Sequence, residues 1–173
     1  MKKLLCLLAL TAIANHAFAQ DMVKTGEGIR QKSVAFLTFD VYKITHYVST
    51  IPAAEDVRAA LAASTGDKKF ELEFLRDVEA DKIKDSLDGA YKNCDYKNKD
   101  KVKELLSVFK SDFKKGDTIT IAYSGGKTTF TSGASVLSVD GDEIMQATWC
   151  IWLGKGITDQ KKLKDELVKN AKK

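Results

Sequence analysis

One five-residue segment alternates strictly between large apolar and acidic side chains, and this pattern constrains the fold more than any other feature. Phe70, Leu72 and Phe74 are separated by Glu71 and Glu73. Because successive side chains of a β-strand point to opposite faces, a period of two predicts a strand with one buried and one solvated face. The two carboxylates then lie on the solvated face, which gives a glycosidase-type acid pair no support.

Further strands are predicted on both sides of this segment. Residues 34–48 are rich in Val, Phe, Thr and Tyr and predict one long strand or a bent pair. Ser124-Gly125-Gly126-Lys127 predicts a hairpin turn. The other predicted strands lie at residues 119–123, 128–131 and 135–139.

Helical segments account for most of the remaining chain. Pro52 precedes a short predicted helix at residues 53–64, and residues 79–94 carry an apolar stripe that includes Leu87 and Tyr91. The other predicted helices lie at residues 98–112, 142–153 and 158–170. The order is not a regular alternation of strand and helix, so we predict an α+β domain in which helices cover one side of an antiparallel sheet.

Residues 1–19 predict a signal peptide. Lys2 and Lys3 precede a short apolar run, and Ala17-Phe18-Ala19 has the pattern of a cleavage site. The apolar run is too short to span a bilayer, so no transmembrane segment is expected. We therefore expect an exported chain, in a bacterial periplasm, with a single domain at residues 20–173.

The charge of the chain gives little support for a nucleic-acid partner. Loss of Lys2 and Lys3 lowers the formal net charge from +4 to +2, whereas nucleic-acid-binding domains are usually strongly basic. Lysines and acids are interspersed over residues 97–104, which is typical of a solvated face. No cofactor is predicted, and the oligomeric state is left open.

Two cysteines follow the leader, Cys94 and Cys150. An oxidising compartment permits a disulfide between them. With 56 positions separating the two residues, the closed loop would stabilise the fold by about 4 kcal/mol. The alternative is two buried free thiols, since Cys150 lies between the apolar residues Trp149 and Ile151.

One arginine, Arg30, precedes the aromatic residues of the 34–48 segment. An arginine beside an apolar cavity can hold a carboxylate through two parallel hydrogen bonds, which predicts a ligand site here. The alternative is a surface arginine that pairs with a carboxylate and packs its stem over Phe36. If the strand predicted at Phe70–Phe74 continues, its alternation places Arg76 on the apolar face as well. The alternative is that the strand ends before Arg76, which then pairs with Asp77 or another neighbour.

The number and position of the chemically active residues argue against several kinds of catalytic or cofactor site. His46 is the only histidine after the leader, and no nucleophile lies near it in the sequence, so we interpret it as a structural histidine. A zinc site would need more Cys and His ligands, and no metal site is predicted. Ser124-Gly125-Gly126-Lys127 leads into a strand, so no helix N-terminus follows it to bind phosphate. Gly26-Glu27-Gly28 precedes a strand, which argues against dinucleotide binding.

Five short motifs, in order from about residue 24 to about residue 168, resemble the chalcone isomerase-like family, and its bacterial exported branch most of all. They are Gly28-Ile29-Arg30-Gln31-Lys32, Val41-Tyr42 with Tyr47, Phe74-Leu75-Arg76-Asp77, Lys115-Gly116-Asp117 and Ile151-Trp152-Leu153-Gly154. The resemblance implies an open-faced β-sandwich, in which a large antiparallel sheet packs under a layer of helices with a ligand cleft between them. Each motif is weak alone, and the specificity comes from their shared order and spacing.

The resemblance also implies roles for individual residues. Arg30 matches the family arginine, which polarises the substrate in the isomerases and holds the carboxylate in the fatty-acid binders. The isomerase threonine on the same strand falls on Tyr42, and a polar position on the late apolar helix falls on Ile151. The active-site tyrosine falls near Ser86. The next candidates on that helix are Tyr91, one turn further on, and Asn93, which matches the family asparagine loosely.

Three functions follow as hypotheses. The first is a non-catalytic binding protein for a fatty acid or similar amphipathic carboxylate, with Arg30, Tyr42, Arg76, Tyr91 and Asn93 as ligand-binding residues. Its apolar walls are expected among Phe36, Phe70, Phe74, Tyr123 and Trp149. The second is an intramolecular lyase or isomerase, which the incomplete set of isomerase residues disfavours. The third is a ligand-free structural or interaction domain.

Overall fold

The computed structural model describes residues 21–157 and 160–172. The predicted leader therefore lies outside the described residues. The strands are β1 (Val23–Val34), β2 (Leu37–Val48), β3 (Lys68–Phe74), β4 (Thr118–Ser124), β5 (Lys127–Ser132) and β6 (Ser135–Asp140). The helices are α1 (Val57–Ala63), α2 (Ala80–Asn93), α3 (Lys99–Leu106), α4 (Asp142–Leu153) and α5 (Lys161–Glu166).

All six strands form one antiparallel sheet in the order of the sequence, from β1 at one edge to β6 at the other. The alternation that predicted β3 is confirmed, because Lys68, Phe70, Leu72 and Phe74 are buried while the residues between them are only half-buried. Residues paired across antiparallel strands share a face. The buried face of β3 therefore continues into its neighbours.

The helices cover one face of the sheet, and the core lies between these two layers. α4 is the central helix, in contact with α1, α2 and α5, and Trp149, Ile151 and Trp152 are fully buried in it. It spans the predicted residues 142–153. The α+β architecture expected from the sequence is confirmed.

Two glycines of β1 allow the C-terminal segment to approach the sheet closely. A Cβ added at Gly26 would lie 2.0 Å from the backbone oxygen of Glu166, and one at Gly28 would lie 2.7 Å from Leu163 Cδ1. A larger residue at Gly26 would force the backbone at the end of α5 to move, and one at Gly28 would force the Leu163 and Glu166 side chains to shift. These glycines thus have a packing role, and they also concealed β1, because glycine is rare in strand interiors.

Other boundaries also differ from the predictions. The prediction of one long strand in residues 34–48 holds for β2, but the strand begins later, at Leu37. The chain reverses at Ala35, where φ is 53°, and Val34 ends β1. α1 begins at Val57 and α3 ends at Leu106, both shorter than predicted. The last predicted helix, residues 158–170, contains a regular helix only at 161–166, and residues 158 and 159 lie outside the described part.

A disulfide joins Cys94, at the end of α2, to Cys150 in α4, with their Cα atoms 6.0 Å apart. Of the two alternatives left open by the sequence, the structure thus has the bonded form. The bridge fixes one end of α2 against the central helix. Within residues 21–157 and 160–172, no helix is both long enough and apolar enough to cross a membrane.

Candidate functional site

An open groove of about 530 Å³ lies between the β1–β2 hairpin and the first turns of α2. Its size falls within the ~300–1,000 Å³ typical of small-molecule sites. Its apolar walls come from both layers of the fold and from the loop between α3 and β4: Val34, Phe39, Val41, Tyr42, Val78, Ile83 and Phe113. Its charged residues are Arg30, Lys32, Arg76, Asp77, Glu79, Lys82, Asp112 and Lys114.

Strand register brings Arg30 and Tyr42 together at this groove. Arg30 pairs with Tyr42 across β1 and β2, and Tyr42 pairs with Phe74 across β2 and β3. Since Phe74 is on the buried face, all three side chains lie on the face toward the helices. The register shifts just after Arg30, so an irregularity of the hairpin lies at the position of the candidate ligand residue.

Tyr42 has a hydroxyl group that can donate a hydrogen bond. The Trp152 Nε1–H group donates to the Tyr42 hydroxyl oxygen at 3.0 Å, and an indole nitrogen has no acceptor capacity. Burial raises the pKa of Tyr42, so the phenol stays protonated near neutral pH. Its O–H group is therefore left to bind an acceptor such as a carboxylate.

Arg30 is half-buried and uses only part of its hydrogen-bonding capacity. One guanidinium nitrogen donates to the backbone oxygen of Gln31 at 2.6 Å, and a guanidinium carries five N–H donors. No carboxylate within the described residues forms an ion pair with it. Of the two interpretations of Arg30, the structure does not support the surface ion pair, and it gives no contact with the exposed Phe36.

Arg76 and Lys32 add two further cations to the groove. The Arg76 guanidinium lies over the Phe39 ring, 4.6 Å from its centroid, which is cation–π geometry. β3 ends before Arg76, as one alternative held, but Arg76 does not pair with Asp77. Over the residues that the structure describes, neither Arg76 nor Lys32 has a carboxylate partner.

The remaining charges of the groove largely neutralise each other. Lys114 pairs with Asp77 at 2.9 Å and Lys82 pairs with Glu79 at 2.6 Å. Lys114 Nζ and the Lys115 backbone N–H both donate to Asp77, and these hydrogen bonds lower the pKa of its carboxyl group. Within the described part of the chain, the cations of the groove without a carboxylate partner are thus Arg30, Lys32 and Arg76, on the hairpin and the loop after β3.

The structure does not bring Tyr91 and Asn93 to this groove. Tyr91 is buried against α4, where its hydroxyl lies 2.8 Å from Thr148 Oγ1 and burial raises its pKa. Asn93 Nδ2 donates to the Gly156 backbone oxygen at 2.9 Å, which ties the end of α2 to the loop after α4. Ser86 does line the groove.

The expected apolar walls also lie elsewhere. Phe36 is at the tip of the hairpin and is 92% exposed. Phe70 stacks on Trp149 with ring centroids 5.2 Å apart, inside the core. The true walls include Val78 and Phe113, which meet through an isolated β-bridge between two loops. No local sequence pattern predicts that pairing.

His46 lies in the core and not at the groove, as its structural interpretation requires. Trp149 Nε1–H donates to His46 Nε2 at 2.9 Å, so the proton of the neutral ring is on Nδ1, which lies 2.7 Å from Thr25 Oγ1. Burial and the charge of Lys68 lower the pKa of His46 to about 3. Among the described residues, no group of three or more His, Cys, Asp and Glu could hold a metal ion.

The profile of the chalcone isomerase-like family matches residues 12–168. The chain therefore belongs to this family, and the predicted resemblance is confirmed at the level of the family. A crystal structure of a fatty-acid binding protein from Arabidopsis thaliana superimposes with a TM-score of 0.73 at 15% identity, over 90% of each chain. Identity this low shows a shared fold alone. A comparison with curated proteins found no match.

Proposed function

We propose that the protein binds a fatty acid or similar amphipathic carboxylate in the groove, without catalysing a reaction. The observation that carries this proposal is the presence beside apolar walls of three cations, Arg30, Lys32 and Arg76, which have no carboxylate partner among the described residues. An anion with a hydrocarbon tail complements both features. Arg30 and the Tyr42 hydroxyl hold the carboxylate, since both offer unused donors at the same strand pair.

The apolar walls contribute most of the affinity, and the cations orient the ligand. Burial of alkyl chain contributes about 0.8 kcal/mol per CH₂ group. A hydrogen bond to a charged group adds about 1.5–3 kcal/mol net. The groove is open to solvent on one side, so a neutral lipid of equal length loses the ionic contribution but keeps part of the apolar one.

Two further observations support binding over ring-closing catalysis. The position of an isomerase polar residue is occupied by Ile151, which is fully buried in α4. The tyrosine nearest the isomerase position, Tyr91, is buried against Thr148 and away from the groove. The fatty-acid binding protein that shares the fold is consistent with this choice.

The proposal includes export to a bacterial periplasm. Residues 1–19 have the pattern of a signal peptide, and the Cys94–Cys150 disulfide fits an oxidising compartment. Fractionation of a bacterium that expresses the full chain tests this part. Recovery of the protein from the cytoplasm at its uncleaved mass would contradict it.

Titration of purified protein with laurate and with dodecanol tests the binding site. The two molecules have the same number of carbons and differ in the head group, which is a carboxylate in laurate and a hydroxyl in dodecanol. We expect Arg30→Ala to weaken laurate binding by about 10- to 100-fold, the equivalent of a lost charged hydrogen bond, and to leave dodecanol binding unchanged.

Arg58→Ala is the matched control for this experiment. Arg58 pairs with Asp165 at 3.5 Å and does not line the groove, so its removal should leave laurate binding unchanged. Mass spectrometry of lipid extracted from the same samples tests for a native acid. A wild type that neither carries an acid nor binds laurate, or an Arg30→Ala variant that binds laurate as tightly as wild type, would overturn the proposal.

A further inference from the structure

The tip of the β1–β2 hairpin, residues 31–40, extends beyond the rest of the sheet. β1 and β2 pair with each other throughout the tip, but pairing of β2 with β3 begins only at Tyr42. Residues 31–38 are accordingly all exposed. The groove lies at the base of this hairpin tip, and Lys32, Val34 and Phe39 contribute to both.

The two faces of the hairpin tip differ in chemistry. On one face, Gln31 Nε2 donates to Asp40 at 2.7 Å, and the Ser33 and Thr38 hydroxyls lie 3.1 Å apart. The side chains of each pair are thus hydrogen-bonded to each other. The opposite face carries the cross-strand pairs Lys32–Phe39 and Val34–Leu37. It is apolar and cationic, and it continues directly into the groove.

The end of the hairpin tip exposes an unusual amount of apolar surface. Phe36 is 92% exposed, Val34 is 55% exposed and Leu37 is 52% exposed. These three residues and Ala35 form the continuous segment 34–37. Contiguous apolar surface of this kind marks a site of interaction with another molecule or a membrane.

The charge beside this apolar surface is positive. Lys32 lies on the hairpin tip, and Arg30 and Arg76 lie at its base, and none of them has a carboxylate partner in the part of the chain that the structure describes. The one carboxylate of the hairpin tip, Asp40, is on the opposite face and accepts a hydrogen bond from Gln31. An apolar wedge flanked by free cations complements a lipid surface with anionic headgroups.

We propose that the hairpin tip docks on an anionic lipid bilayer, with Phe36 and Leu37 inserted among the headgroups, so that the mouth of the groove faces the membrane. This inference rests on the proposed binding of an amphipathic acid, whose alkyl chain is poorly soluble in water and must be exchanged with a lipid phase. A second copy of the chain is the competing occupant. The unpaired cations favour the bilayer, since two copies would bring like charges together.

Co-sedimentation with vesicles tests the proposal. The vesicles consist of phosphatidylcholine alone or of phosphatidylcholine mixed with phosphatidylglycerol. We expect the wild-type protein to partition onto the anionic vesicles and to dissociate as the salt concentration rises. Replacement of both apolar residues, Phe36→Ser with Leu37→Ser, should lower the partition coefficient by about tenfold or more, because most of the inserted apolar surface is removed.

Val136→Ser is the matched control, because Val136 is an apolar residue of β6 that is 63% exposed at the opposite edge of the sheet. It should bind vesicles as wild type does. Laurate titration of the same samples separates this inference from the proposed function. The double variant should bind laurate as wild type does, since neither Phe36 nor Leu37 lines the groove, and this also verifies that it is folded.

Two outcomes would overturn the docking proposal while laurate binding stands. One is a wild-type protein that stays in the supernatant with anionic vesicles, or a double variant that sediments with them equally well. The other is a wild type that is dimeric by analytical ultracentrifugation and a double variant that is monomeric, with no difference in vesicle binding. That result would assign the hairpin tip to self-association.

Discussion

Two regions on the same face of the sheet differ in whether their polar side chains are sealed in the core or border the groove. The closed end, around His46, Thr25, Trp149 and Lys68, is sealed under α4 and the C-terminal segment. The open end, around Arg30, Tyr42 and Arg76, borders the groove. Both lie on the helix-facing side of the strands at the β1 edge, so the difference comes from what covers them.

At the closed end, the buried polar side chains are satisfied within the protein. Trp149 donates to His46, His46 donates to Thr25, and the Thr25 hydroxyl donates to the backbone oxygen of Leu167 at 2.8 Å. This chain of hydrogen bonds joins α4, two strands and the C-terminal segment. An unsatisfied group anywhere along it would be costly.

Lys68 belongs to the same region, and its buried ammonium group is also hydrogen-bonded within the protein. Its ammonium group donates to the backbone oxygens of Leu61 and Ala62, each at 3.0 Å, and lies 4.7 Å from the centroid of the Trp149 ring. It therefore satisfies carbonyl groups at the end of α1. Burial lowers the pKa of Lys68 to about 7.

At the open end, Arg30 and Tyr42 line the groove and have N–H or O–H donors for which the described residues offer no acceptor. The side chains of the closed end are thus hydrogen-bonded within the protein and sealed, whereas Arg30 and Tyr42 line the groove and keep donors for a ligand. Substitutions at the closed end should therefore lower stability, and those at the open end should lower ligand affinity.

The disulfide joins the two regions, because Cys94 ends the helix that forms a groove wall and Cys150 belongs to the central helix. Replacement of both by alanine should lower the free energy of unfolding by about 4 kcal/mol, since the unfolded chain regains the entropy of a long loop. Urea unfolding measures this, and reduced wild type is the control. A loss below about 1 kcal/mol would show that packing alone fixes α2.

His46→Ala tests the closed end directly. The substitution leaves the Trp149 N–H and the Thr25 hydroxyl without their partner and opens a cavity, so we expect a loss of about 3 kcal/mol in the free energy of unfolding. Arg30→Ala, at the open end, should cost less than about 0.5 kcal/mol. Equal losses from the two variants would remove the distinction between the regions.

The pH dependence of the free energy of unfolding tests whether His46 is neutral in the folded protein. His46 has a folded-state pKa of about 3, below its usual value of 6.5. As the pH falls below 6.5 the unfolded chain binds a proton that the folded chain refuses, so wild type loses stability at up to about 1.4 kcal/mol per pH unit. Urea unfolding from about pH 7 to about pH 5 should show a shallower loss in His46→Gln. Parallel curves would contradict a buried neutral histidine.

Tyr42→Phe gives the smallest expected effect, because Tyr42 stands where the two regions meet. Its hydroxyl accepts from Trp152 in the core and can donate toward the groove. We expect a loss of about 1 kcal/mol in stability and a roughly fivefold weaker affinity for laurate. Laurate affinity equal to that of wild type would remove Tyr42 from the binding site and leave it as a core residue.

The parts of the fold that follow a local period could be predicted from the sequence. β3 alternates between buried and half-buried residues, and α4 is rich in apolar residues, above all at Trp149–Leu153; both lie where expected. β1 was not predicted, since Gly26 and Gly28 weaken the strand pattern. The two glycines are needed because α5 packs closely against β1, and this contact joins residues that are far apart in the chain.

The candidate site could be predicted only in part. Arg30 follows from its place before the aromatic segment, Arg76 from strand parity and Tyr42 from the family resemblance. Strand register then brings Arg30 and Tyr42 side by side. The walls at Val78 and Phe113 depend on a bridge between distant loops, which no periodicity records. Tyr91 was an expected ligand residue because of its place on α2, but helix orientation turns it toward Thr148.

The most direct test of the account is ¹³C NMR of carboxyl-labelled laurate bound to the wild type and to Arg30→Gln. If Arg30 holds the acid, the bound carboxyl group stays ionised to a lower pH in the wild type than in the variant, because the guanidinium stabilises the carboxylate. A carboxyl group that titrates identically in both proteins would contradict an acid held by Arg30, and so would the absence of a bound resonance.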